Sequence, residues 1–151
     1  MIKTYEDLIT SREQTRAGFV TFALEKNKKS TPIIEDAKAF RVLASKANTP
    51  NDLHGISEIR SAVLTAAGVS DKSLKYFTED DKDEAINILI KNFLEPAGEQ
   101  FLDELTYRYL LIKGDSLGGS MRNLVGLIAQ QKLTRTILSW RVLIFHFYSK
   151  I

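Results

Sequence analysis

The sequence predicts an all-α fold, a bundle of about seven helices with short connections and no sheet. Three observations carry this. Apolar residues recur every three or four positions along most of the chain, the period of a helix with one buried face. Residues that start or stop helices stand at the breaks, among them Thr31-Pro32, Gly68, Ser70-Asp71 and Pro96. No internal repeat or low-complexity linker interrupts the 151 residues, so 1–151 reads as one domain.

The elements follow in order. Thr4 with Asp7 resembles a capping box, and Leu8, Phe19, Phe22 and Ala23 continue as a helix to about Asn27. Lys26, Lys28 and Lys29 cluster at its expected end, where cations complement the helix dipole; a nucleic-acid contact is the other role open to them. Thr31-Pro32 predicts a fresh start, with Ile33, Ala37, Phe40, Leu43 and Ala44 as the apolar side to about Ala47. Asn48-Thr49-Pro50-Asn51-Asp52 is a turn by residue type, with a further turn over Leu53 to Gly55. Ser57 is expected to cap a short helix that Gly68 closes, and Ser70-Asp71 to start a piece ending near Phe77. Thr78-Glu79-Asp80-Asp81 loads the next helix start with negative charge. That helix should stop at Glu95, because proline disfavours helical geometry in the residue before it. Phe101, Leu105, Tyr109 and Ile112 then share one face of a further helix.

Composition excludes several function classes. With no cysteine there is no disulfide, thiol nucleophile or thiolate zinc site, and His54 and His146 are too few for most metal sites. The absence of cysteine fits a reducing cytoplasm. The start, Met1 to Asp7, has no apolar signal region, and no uncharged apolar run approaches membrane-spanning length. Charge is uneven. Residues 1–112 hold 15 Lys/Arg against 18 Asp/Glu, whereas residues 113–151 hold six against one, with no acid after Asp115. Such a basic segment points to an anionic partner, nucleic acid first, or to a solvated face.

The most informative stretch lies at the start of that basic segment. Lys113-Gly114-Asp115-Ser116-Leu117-Gly118-Gly119-Ser120-Met121-Arg122-Asn123 places three glycines within six residues of a helical pattern. Two roles are open. Gly114 can end one helix in a left-handed conformation while Asp115 or Ser116 caps the next, making a corner. Alternatively, Gly118 and Gly119 let a phosphate or a neighbouring backbone approach a helix start. The stretch is neither a P-loop nor a dinucleotide fingerprint, since it lacks Gly-Lys-Ser/Thr and no strand precedes it. Residues 113–139 thus read as a basic, glycine-rich corner and helix. Arg122, Lys132 and Arg135 spread over a broad flank, Arg122 and Lys132 about 80° apart around the axis. Residues 140–151, Trp140 to Ile151, form an atypical apolar tail that is either a buried helix end or a strand, with His146 read as a packed aromatic neighbour.

Tyr107-Arg108-Tyr109-Leu110-Leu111, Gly114 to Asn123 and Leu133-Thr134-Arg135 resemble a segment of certain type II restriction endonucleases, a group that includes enzymes cutting GGWCC-like sites. Phe22 to Asn27, Ala47 to Leu53 and Phe93 to Gly98 are similar to the amino-terminal part of the same proteins. The resemblance covers roughly residues 15–139. It implies double-stranded DNA as partner, a possible homodimer, no membrane, a cytoplasmic location, and Mg²⁺ for the full enzyme. Arg122, Asn123, Lys132 and Arg135 become the candidates for DNA contact, with Gly118 and Gly119 permitting close approach. The tail departs from the family, which is expected to continue into a catalytic domain, so a truncated or frameshifted frame or a fragment is expected.

The residues do not spell out a nuclease centre. A PD-(D/E)xK arrangement holds its metal between carboxylates on neighbouring strands. The candidate fragments, Asp36-Ala37-Lys38 and Glu79 to Glu84, sit in helical patterns, where residues two apart point about 200° from each other. The expected function is therefore the helical amino-terminal part of a restriction enzyme, contacting the DNA backbone and supporting a catalytic core not evident here. The alternative is a helical protein-interaction or dimerisation domain with no nucleic-acid role.

Overall fold

The computed structural model describes the backbone of residues 9–148 and the side chains of 9–135, 137 and 138. Among the described residues there is no strand, and five α-helices have four residues or more, fewer than the seven or so expected. The difference comes from two fusions.

Helix α1 runs over Arg12–Ala44. A capping box starts it: Ser11 Oγ accepts the Gln14 N–H at 3.2 Å, and Gln14 Oε1 accepts the Ser11 N–H at 3.0 Å. The cap expected at Thr4 lies outside the described residues. The break expected before Thr31-Pro32 does not occur, since Pro32 lies inside α1. Proline in a helix interior costs about 3 kcal/mol, but a break creates two ends with four unsatisfied backbone groups each. Pro32 stands on an exposed turn, where water reaches the carbonyl its missing N–H cannot serve. Lys26, Lys28 and Lys29 accordingly sit mid-helix, and the dipole role expected for them does not apply.

The middle of the chain follows its local signals closely. A 3₁₀ turn covers Pro50–Gly55, anchored by Asp52, whose carboxylate accepts the N–H groups of Thr49 at 2.8 Å and Asn48 at 2.9 Å. Those bonds hold the Asp52 pKa below its ordinary range, the Thr49 N–H contributing most. A second 3₁₀ turn, Ser57–Ile59, leads into α2, Arg60–Ala66. Ser57 makes no side-chain cap there, and Ile56 holds the cap position. Gly68, at φ 89°, closes α2 as expected: its N–H reaches Thr65 O at 2.9 Å and the Val69 N–H reaches Leu64 O at 3.0 Å. This is the Schellman arrangement, which needs a left-handed residue.

Helix α3, Asp71–Leu74, is capped by Ser70, whose side chain accepts the Ser73 N–H. Helix α4, Glu79–Leu89, starts with a reciprocal Thr78–Asp81 box at 2.7 and 3.2 Å. It continues as a π turn over Ile90–Leu94, where the Glu95 N–H bonds Ile90 O five residues back. That wider turn carries the chain past Pro96 into a short α turn, Glu95–Ala97, rather than stopping at Glu95. Gly98, at φ 57°, and a 3₁₀ turn over Gly98–Gln100 reset the direction. Helix α5 then spans Phe101–Tyr148 in 48 residues. The span expected as either helix or strand from Trp140 is thus helical to Tyr148. The packing expected of His146 lies outside the described side chains.

The chain divides into two compact units, Lys28–Leu117 and the pairing of Met1–Asn27 with Gly118–Ile151. The first holds a continuous core including Phe40, Leu53, Val63, Ile86, Leu94, Leu105 and Tyr109, with the Phe40 and Tyr109 rings 5.1 Å apart. Burial also raises the Tyr109 pKa. Arg41 binds Asp103 at this unit's surface, and Arg108 stacks 3.7 Å from the Phe93 ring centroid. No helix among the described residues is long and apolar enough to cross a membrane.

Candidate nucleic-acid interface

The glycine stretch is not a corner. Gly114, Gly118 and Gly119 all lie inside α5, and none has positive φ. Asp115 and Ser116 cap nothing; the Ser116 hydroxyl donates to Ile112 O at 3.2 Å, one turn back. Three helical glycines cost about 3 kcal/mol relative to alanine. A break would again expose two sets of unpaired backbone groups, and Met121, just beyond the glycines, is buried. The helix-start anion cradle expected at Gly118 and Gly119 is therefore absent, because their N–H groups belong to the interior of the ladder. Close approach takes another form. A Cβ at Gly118 would meet Arg122 Nη1 at 3.8 Å, and one at Gly119 would meet Nη2 at 3.9 Å. The Arg122 side chain thus lies back along the glycine surface, in the direction helical side chains take.

Arg122, Asn123, Lys132 and Arg135 are all exposed on α5. An unbroken helix places the three cations over a sector of about 140°, with Arg122 at one edge and Arg135 at the other. Arg122 also borders an apolar hollow of about 620 Å³ with Thr10, Thr15, Gly18, Phe19, Phe22 and Val125. Phe19 is 71% exposed, although its spacing suggested a core stripe. Periodicity reveals which residues share a face but not whether anything covers it.

The acidic candidates are occupied structurally. Asp36 and Lys38 are both on α1, and Lys38 pairs with Glu35 at 2.9 Å, not with Asp36. Asp81 caps α4, which lowers its pKa through the Thr78 N–H. Glu79 pairs with Lys82 at 2.6 Å, and that hydrogen bond lowers its pKa most. Asp83 pairs with Arg60 at 2.9 Å, which raises the guanidinium pKa. His54 Nε2 lies 2.9 Å from Asn87 Oδ1, an ordinary tie between elements. No group of three His, Asp or Glu side chains gathers as a metal site among the described residues. The magnesium implied for a full restriction enzyme therefore does not fit the residues described here.

A restriction endonuclease BsobI family model matches residues 1–149. The chain belongs to the BsobI restriction endonuclease family. It is 62% identical over 138 residues to the type II restriction enzyme BsoBI of Geobacillus stearothermophilus, covering 91% of this chain and 43% of that protein. It is 50% identical over 138 residues to the type II restriction enzymes AvaI of a Nostoc species and of Anabaena variabilis, covering 91% of this chain and 44% of each. The chain thus spans less than half the length of these curated relatives. Membership in the BsobI family is narrower than the group the motif suggested, and none of these names specifies a GGWCC-like site.

Proposed function

We propose that this chain is the helical, DNA-contacting part of a type II restriction endonuclease of the BsobI family, acting on double-stranded DNA in the cytoplasm and supporting a catalytic core carried by the remaining length. The exposed cationic sector of α5 supports this most directly. Arg122, Lys132 and Arg135 lie on one continuous helix in a segment with no acid after Asp115. Their role is to meet phosphates, Arg122 and Arg135 with planar forks suited to phosphate oxygens. Asn123, nearby on the exposed surface, donates and accepts at a base or sugar edge. Gly118 and Gly119 keep the surface low enough for the Arg122 side chain to lie close to α5. Strand scission, and the magnesium it requires, belong on this reading to the part of the relatives' length outside the matched 43–44%.

Mobility shifts of the purified chain on duplex DNA at several salt concentrations test the reading. Binding should weaken as salt rises. Arg122→Glu with Arg135→Glu should lower affinity at low salt and flatten the log–log salt slope by about 2, roughly one per lost phosphate contact. Affinity and slope unchanged by the double reversal would remove these residues from the interface.

A further inference from the structure

Several cations of residues 28–117 are matched by acids. Lys38, Arg41, Lys46, Arg60, Lys82 and Arg108 each pair with a carboxylate. The unit formed by residues 1–27 and 118–151 differs. Its described side chains include Arg12, Arg16 and Lys26 on α1 and Arg122, Lys132 and Arg135 on α5, against two acids, Glu13 and Glu25. Arg12, Arg16 and Lys26 are exposed and form no ion pair among the described residues. They also share a face. At 100° per residue, an arc of about 100° on α1 carries, in angular order, Lys26, Phe19, Arg12, Ala23, Arg16 and Asn27. No carboxylate of residues 12–27 lies on it: Glu13 falls about 40° past one edge and Glu25 about 100° past the other. Phe19, between two of the cations, is 71% exposed. A merely solvated helix face ordinarily pairs its charges, as Glu35 with Lys38 and Glu104 with Arg108 do, and keeps large aromatics on its covered side.

We infer that this face of α1 is a second contact surface for double-stranded DNA, with Arg12, Arg16 and Lys26 on phosphates and Phe19 against the sugars and base edges between them. The inference rests on the reading above and extends it from one helix to two. Charge complementarity selects the partner. Three unmatched cations along about 21 Å of helix suit a polyanion with regularly spaced charges, whereas an apolar protein surface seated there would desolvate them without partners. Phe19 and Arg122 line the same hollow, which brings the α1 face and the start of the α5 cationic sector to one place within this unit. Phe19 adds an apolar contact that salt does not weaken. Lys28 falls about 160° from Lys26 around the axis and takes no part.

The test measures duplex binding by the 151-residue chain across a salt series, with melting curves to check each variant's fold. Arg12→Gln/Arg16→Gln/Lys26→Gln should weaken binding about tenfold or more at low salt and flatten the log–log salt slope by about 3, roughly one per lost phosphate contact. Arg12→Lys/Arg16→Lys should keep the slope, because lysine also meets a phosphate. Phe19→Ala should weaken binding about fivefold with the slope unchanged, because an uncharged side chain releases no counterions. Lys72→Gln/Lys75→Gln/Lys91→Gln removes the same charge from exposed positions of the other unit and should change the slope by less than about 1. Equal losses in this control and the α1 triple variant would overturn the inference, since net charge and not the α1 face would then set affinity. Should the triple variant melt early, the single changes decide, each expected to lower the slope by about 1. Affinity and slope unchanged by the α1 variants but reduced by reversal of Arg122 and Arg135 would overturn this inference alone. A parent chain that binds no duplex would remove it together with the reading on which it rests.

Discussion

Residues 28–117 and the pairing of 1–27 with 118–151 draw on similar residue types but use them differently. The first unit buries a contiguous set of apolar side chains from Ala37 to Tyr109. Among the described residues of the second, ten large apolar side chains are exposed, against seven in the first, while Met121 alone is buried. Caps differ as well. The first unit contains the Thr49–Asp52 and Thr78–Asp81 boxes and the Gly68 terminator; the described part of the second has the Ser11–Gln14 box. The contrast teaches that helical sequence and folded stability are separable. The first unit is closed by its own side chains, whereas the described part of the second is helical yet leaves most of its large apolar side chains exposed.

The largest expected effect contrasts the two directly. Leu105→Ala, at a fully buried position of the first unit, should cost about 2–5 kcal/mol in denaturant unfolding of the chain, through lost transfer energy and the cavity left behind. Leu133→Ala should stay within about 0.5 kcal/mol, as expected where a side chain is already in water. Similar losses at both positions would break the contrast, because Leu133 would then have to be buried in solution.

Glycines offer a second comparison. Gly68 at φ 89° requires a conformation that side chains resist, so Gly68→Ala should lower stability by about 1–2 kcal/mol. Gly126 lies within α5 with open space where a Cβ would stand, so Gly126→Ala should raise stability by about 0.5–1 kcal/mol. Thermal melts of both variants check the opposite signs. A loss at Gly126 would mean that some body approaches that surface.

The smallest effect is in acid. Asp52 and Asp81 have folded-state pKa values depressed mainly by backbone N–H bonds. Groups depressed on folding stabilise the fold above their unfolded pKa, and that contribution is lost as pH falls through the folded value. Chemical unfolding between pH of about 6 and about 2.5 should therefore show a gradual loss, partly flattened in Asp52→Asn/Asp81→Asn. Both groups lie in the first unit, so a variant with the same acid slope as the parent would indicate that its caps contribute little.

Local signals proved dependable where the chemistry spans three or four residues. Ser70, Thr78 and Gly68 do what their types and neighbours imply, because the donors and acceptors they satisfy lie within one turn. The helical class and the motif around Gly114 to Asn123 were equally readable, and the family match bears out the restriction-endonuclease resemblance. Pro32 and the three α5 glycines misled for a shared reason. Their penalties are local and easily counted, but they compete with the larger cost of opening two helix ends, which no single residue displays. Ser57 failed as a cap because the chain enters α2 through a 3₁₀ turn that places Ile56 at the boundary.

Helical period and the charge of each segment are properties of residue order, and the amino acids alone settled them. Whether Pro32 and Gly114 end a helix or ride within one, and whether Phe19 or Leu133 meets protein or water, depended on packing across distant parts of the chain. Hydrophobic burial is a property of neighbours in space: the same apolar stripe becomes core when another surface covers it and an open seat when none does.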